Sequence, residues 1–143
     1  MNIQDSIKLL SIIKKQAGKP FQWGVHDCNT FFIEIHDKMY GSKDIEKVRD
    51  QYGDRRGAIV FLNKTLKLSA AQWLHLRNYK KIVSKKPKWT AGDVVLIERH
   101  AYSSVYIYSE GAFWTVPEGS ELVAYDPSAV AKEMTSAWRK TNG

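Results

Sequence analysis

The chain has one cysteine, Cys28, at the end of Pro20-Phe21-Gln22-Trp23-Gly24-Val25-His26-Asp27-Cys28. An apolar run follows it, Phe31, Phe32, Ile33, Ile35 and Met39, and stops at Gly41. Asp27 is a good N-cap residue and Gly41 a good C-terminal stop, so the spacing predicts a helix that opens at Cys28. Unpaired N–H groups and the helix dipole favour negative charge there, and such a position can lower a cysteine's pKa from about 8.5 toward a reactive thiolate. A cysteine nucleophile for acyl transfer also needs a base within hydrogen-bond reach and a partner that orients the base. His26 is near enough in sequence to be that base, or else it braces the turn. A lone free cysteine serves equally well as a small buried apolar residue, so both readings stand at this point.

Phe21-Gln22-Trp23-Gly24 followed by Asp27-Cys28 resembles the Tyr-x-Trp-Gly…Asp-Cys signature of the NlpC-type papain-like cysteine peptidases. Ala91-Gly92-Asp93-Val94-Val95-Leu96 is similar to the block that opens that family's sheet, and Ala137-Trp138-Arg139 resembles the ending of small phage tail-associated proteins of this group. The resemblance implies a papain-like fold, a place in the virion tail and a peptidase that cleaves peptide stems of peptidoglycan during entry. It implies Cys28 as nucleophile, with backbone N–H groups at the start of its helix stabilising the oxyanion. The family's base histidine begins the second strand, and that position aligns with Tyr102; His100 lies two residues earlier. Residues i and i+2 share one face of an extended chain, so His100 becomes the candidate base after a small register shift. The third polar residue aligns near Thr115, and the family's assisting tyrosine aligns with Phe21, which has no hydroxyl. The catalytic set expected from the resemblance is therefore Cys28, His100 and Thr115, shaped by Phe21, Trp23, His26, Asp27 and Tyr102. If the departures at Phe21, Tyr102 and Thr115 have removed the chemistry, the same fold is expected as a structural protein of the tail tip or tail assembly.

The 143 residues, 43% hydrophobic and 26% charged, fit a single globular domain over residues 1–143. One cysteine forms no internal disulfide, so the fold needs no oxidising compartment. The start, Met1-Asn2-Ile3-Gln4-Asp5, lacks a basic region and a long apolar core, and the expectation is synthesis in the host cytoplasm without a signal peptide. No membrane span is expected, because no apolar run approaches the required length. A formal charge of +7 suits an acidic polymer such as a cell-wall glycan, an anionic lipid or nucleic acid, and equally a solvated lysine-rich face. Nucleic acid is not an expected partner, since no reading helix or stacking motif is present. One cysteine and four dispersed histidines give no paired metal-ligand spacing, and no glycine-rich phosphate loop follows a strand, so no metal or cofactor is expected. The partners expected are other tail proteins and peptidoglycan.

These residues need elements to hold them. Ile3 to Ala17 carries Ile7, Leu10 and Ile13 at helical spacing, closed by Gly18 and Pro20. After Gly41, Ile45, Val48 and Tyr52 predict a charged helix, and Gly57 to Asn63 and Leu68 to Tyr79 two short ones. The basic stretch Lys80 to Lys88 reads as a loop. Beyond Pro87 the pattern turns to strands: Val94 to Ile97, then Ser103 to Ser109 and Ala112 to Val116 as a hairpin over Glu110-Gly111, then Leu122 to Tyr125. Asp126-Pro127 opens a last short helix. Helices followed by an antiparallel sheet give an α+β class with N-terminal helices packed on a C-terminal sheet.

Overall fold

A computed structural model describes residues 1–142. Helix α1 spans Ile3–Lys14 and α2 spans Cys28–Tyr40; a 3-10 turn, Asp44–Lys47, leads to α3, Arg55–Val60. A π-helical segment, Phe61–Leu66, continues from α3, and α4 covers Ala70–Leu76. Strand β1, Tyr79–Lys81, precedes the main sheet strands β2 (Val94–Arg99), β3 (Tyr102–Ser109), β4 (Ala112–Thr115) and β5 (Val123–Tyr125). Helix α5, Pro127–Glu133, and strand β6, Ser136–Lys140, complete the chain. All strand pairs are antiparallel, in the order β1-β6-β2-β3-β4-β5. The class is the α+β arrangement that the pattern predicts.

Strand β2 shows why its sequence is a continuous apolar run. Val94 and Leu96 face the helical layer, where they join Ile13, Phe31, Ile35 and Leu74. Val95 and Ile97 face the other way, into a smaller core with Phe113, Val130 of α5 and Ala137 of β6. A strand covered on both faces has no polar side to display. Two of the three sequence blocks that carry the resemblance meet beside it. Arg139 donates from Nε and an η nitrogen to the two carboxylate oxygens of Asp93, at 2.9 and 2.8 Å, and Asp93 is fully buried. The fork of a guanidinium matches a carboxylate in this way, and the pair ties the start of β2 to β6.

Several expectations need correction. Helix α1 buries Leu9, Ile12 and Ile13, whereas Ile3 and Ile7 point to solvent. The helix expected around Ile45 to Tyr52 is only one 3-10 turn, although Val48 and Tyr52 are buried as expected. Lys80 and Lys81 lie in β1, not in a loop, because they pair with Arg139 and Trp138 of β6. Both of these strands are absent from the sequence reading. The Glu110-Gly111 hairpin is as expected, with both residues at positive φ (49° and 77°), the pairing that suits a two-residue turn between right-twisted strands. No helix is long and apolar enough to cross a membrane among the described residues.

Candidate functional site

Asp27 builds the start of α2. Its carboxylate accepts the N–H groups of Asn29 and Thr30 at 3.0 and 2.9 Å, and the Thr30 hydroxyl accepts the Asp27 N–H at 2.8 Å, a reciprocal capping box. The other carboxylate oxygen accepts Gly24 N–H at 2.9 Å and the Tyr52 hydroxyl at 2.7 Å. One buried side chain thus fastens the approach turn, the helix start and the Asp50–Tyr52 stretch. Gly24 is forced by this fit. It has φ +78°, and a Cβ there would lie 2.1 Å from the Tyr52 carbonyl oxygen. The close approach that glycine permits is to the Tyr52 carbonyl.

Cys28 therefore begins α2, as the capping residues predict, and its sulfur faces β3. The Tyr102 hydroxyl is 3.4 Å from Sγ, the Asn29 amide donates to Sγ at 3.7 Å, and the Ser103 carbonyl is 4.0 Å away. Asn29 also donates to the Tyr102 hydroxyl at 3.1 Å, so the phenol's own hydrogen is free to point at the sulfur. No imidazole is among the hydrogen-bond partners of the sulfur given by the described residues.

Two effects compete for the thiol's acidity. The helix N-terminus is worth about 0.3–1 kcal/mol, less than one pKa unit, while complete burial shifts a group by up to about 3–5 units. Burial wins. With the adjacent Asp27 carboxylate adding to it, burial pushes the Cys28 thiol up to about 11, against the weaker opposing pull of the Tyr102 hydrogen bond. Tyr102 is itself held protonated, by burial first and then by the neighbouring thiol. The N–H groups of Asn29 and Thr30, the obvious oxyanion donors, are already bonded to Asp27.

The site residues predicted by alignment divide into two groups. Phe21, Trp23, Cys28, Tyr102 and Thr115 line one cavity of about 170 Å³, together with Arg55 and Arg99. Phe21 and Trp23 meet edge to face at 4.9 Å, and Trp23 and Tyr102 at 5.7 Å. Trp23 is half-buried. The Thr115 hydroxyl donates to the Val105 carbonyl at 2.8 Å, which fixes it to β3. The histidines stay outside this group. His100 sits in the two-residue loop between Arg99 and Tyr102, at φ 58°, exposed to solvent. It is not part of an extended strand, so it does not share a face with Tyr102 as the i, i+2 argument requires, and it lines a different cavity. His26 is buried, with its ring edge-on to Phe31 and its Nε2 without a partner among the described residues. Burial, then the charge of Lys19, lowers its pKa, and its backbone is bridged to Gln22, the bracing role.

Sequence reasoning missed Asn29 and Tyr52. An asparagine directly after the cysteine is the only local hint of the first; the second is a pairing 25 residues apart that nothing local announces. Among the described residues no three His, Cys, Asp or Glu side chains gather where they could hold a metal ion.

A family model described as domain of unknown function (DUF6950) matches residues 1–140, and the chain belongs to that family. No curated protein matches the chain.

Proposed function

We propose that this DUF6950 chain is a structural component of a phage tail, with a papain-like, NlpC-type fold in which the cysteine no longer performs peptidase chemistry. The observation that carries this reading is the Tyr102 hydroxyl 3.4 Å from Cys28 Sγ. By the alignment of β3 with the resembling family, that is the place of the base. A phenol whose pKa is raised by burial takes no proton from a thiol near neutral pH, and the thiol itself is pushed up to about 11. The tail assignment rests on the three resembling blocks. The Asp93–Arg139 ion pair gives two of them a shared structural purpose that needs no catalysis. In this reading the chain is made in the host cytoplasm, is incorporated into the tail tip or tail assembly, and has other tail proteins as its partners.

The peptidase reading keeps one supporting observation: Cys28 lies on the wall of a cavity of about 170 Å³ with Thr115 beside it. It lacks a base. The test uses a phage that encodes the chain. Virions carrying Cys28→Ser are expected at the parental titre, with the chain detected in purified tails by mass spectrometry. Purified protein is expected to release no free amines from peptidoglycan. Release that disappears in Cys28→Ser overturns the structural reading in favour of the peptidase. Absence of the chain from virions overturns the tail assignment.

A further inference from the structure

Tyr102 also borders a second and larger cavity, of about 230 Å³. Its walls are apolar, with Phe32 and Trp73 meeting edge to face at 5.8 Å, and Leu62, Leu66, Leu96 and Val105 closing the rest. Its mouth lies between the π-helical segment and the β2–β3 turn, where Glu98, His100 and Ala101 are exposed. Of the other polar groups at the rim, the His100 imidazole makes no hydrogen bond among the described residues and the rest are engaged. Asn63 donates to the Ile59 carbonyl and Ser69 caps α4. The Glu98 carboxylate makes no ion pair or hydrogen bond among the described residues.

We propose that this cavity is a binding site for a planar aromatic group of indole size, with a hydrogen-bond donor on its outward edge. Size comes first. An apolar cavity of about 150 Å³ accepts benzene, so about 230 Å³ corresponds to about nine heavy atoms, the number in indole. Wall chemistry follows: aromatic edges and faces from Phe32 and Trp73 favour a ring over an alkyl chain. The head is set by Glu98, an acceptor with no internal donor. A carboxylate acts only as an acceptor, so it takes an N–H or O–H from the ligand's outward edge. Such a ring is supplied either by a free indole compound or by a tryptophan side chain of a partner. The inference is independent of whether Cys28 reacts.

The test is a titration of the full-length ¹⁵N-labelled protein with indole, 1-methylindole and N-acetyltryptophanamide, followed by amide shifts. Indole is expected to saturate with a Kd of about 1 mM, the scale for so small a ligand, and to shift Leu66, Trp73 and Ser103. Ala101→Trp, at an exposed position on the mouth, should raise that Kd at least about tenfold while the spectrum stays folded. Glu98→Ala should weaken indole about tenfold and leave 1-methylindole unchanged, as for loss of a hydrogen bond to a charged acceptor. Tighter binding of N-acetyltryptophanamide than of indole assigns the site to a partner's tryptophan, and the reverse to a free compound. No saturation by about 10 mM, shifts away from this cavity, or an unchanged Kd in a folded Ala101→Trp overturns the site. Equal affinities for indole and 1-methylindole overturn the donor assignment.

Discussion

The acidity of Cys28 separates the two readings of this chain most sharply, and its size follows from the structure. With the thiol pushed from 9.0 to about 11, the thiolate fraction at pH 8 falls from about 9% to about 0.1%. Alkylation by iodoacetamide at that pH is then about a hundredfold slower than for an ordinary cysteine, before any further protection by burial. The rate should climb about tenfold for each pH unit between 7 and 10 without a plateau. A second signal comes from linkage. The folded state keeps its proton where the unfolded thiol has lost it, so Cys28 favours folding fully below pH 9 and loses that contribution as pH rises from 9 toward 11. The loss is about 1.4 kcal/mol per pH unit inside that window. Subtracting the melting curve of Cys28→Ser, which lacks the titration, isolates it from the tyrosines that also ionise at high pH. Mass-spectrometric labelling rates and paired Tm measurements are the assays. A labelling rate that levels off between pH 6 and 8 refutes the burial argument, because it means a thiolate already formed near neutrality.

Three further outcomes follow from the geometry. Asp27→Asn should destabilise the protein by about 3 kcal/mol or more in urea titrations, since an amide cannot accept the four hydrogen bonds that Asp27 receives from Gly24, Asn29, Thr30 and Tyr52. Gly24→Ala should cost at least as much, because its Cβ meets the Tyr52 carbonyl at 2.1 Å and its φ is +78°; the Tm reads this directly, and a change under about 2 °C counts against the tight approach. Arg139→Lys should lower stability by only about 1 kcal/mol, since the fork to Asp93 is lost but the Arg139 side chain is 45% exposed and the single charge can still pair.

What the sequence reveals depends on whether the signal is local. Helix α2 is legible because Asp27 and Gly41 mark its ends, and Gly41 does adopt φ +73°. The β3–β4 hairpin is legible from Glu110-Gly111, and β2 from an apolar run covered on both faces. Strands β1 and β6 are not, because Tyr79 pairs with Lys140 and neither segment alternates strongly enough to announce itself. The same distinction governs the site. Alignment places Tyr102 and Thr115 on the wall of the cavity that Cys28 also lines, whereas His100 is misplaced because His100-Ala101 makes a tight turn without the glycine or asparagine that would advertise one. The start of α2 favours a thiolate locally, and burial under a strand that lies far along the chain outweighs it.

The partnership of Cys28 with Tyr102 spans 74 positions, and that separation has a consequence during synthesis. On the ribosome the capping box of α2 can close as soon as Thr30 emerges, yet the strand that covers the sulfur is still unmade. At about 5–20 residues per second the gap lasts roughly 4–15 s. Through that interval the thiol sits at an uncovered helix start, with near-ordinary acidity and open access to oxidants. Sulfenylation then would place a polar oxygen where the Tyr102 hydroxyl must settle, and β3 would dock badly or not at all. The nascent chain is thus expected to be vulnerable at an atom that the finished protein buries. Pulse alkylation of ribosome-bound chains halted before and after Tyr102 has been extruded should show fast labelling in the first and little in the second, and equal labelling would remove this window.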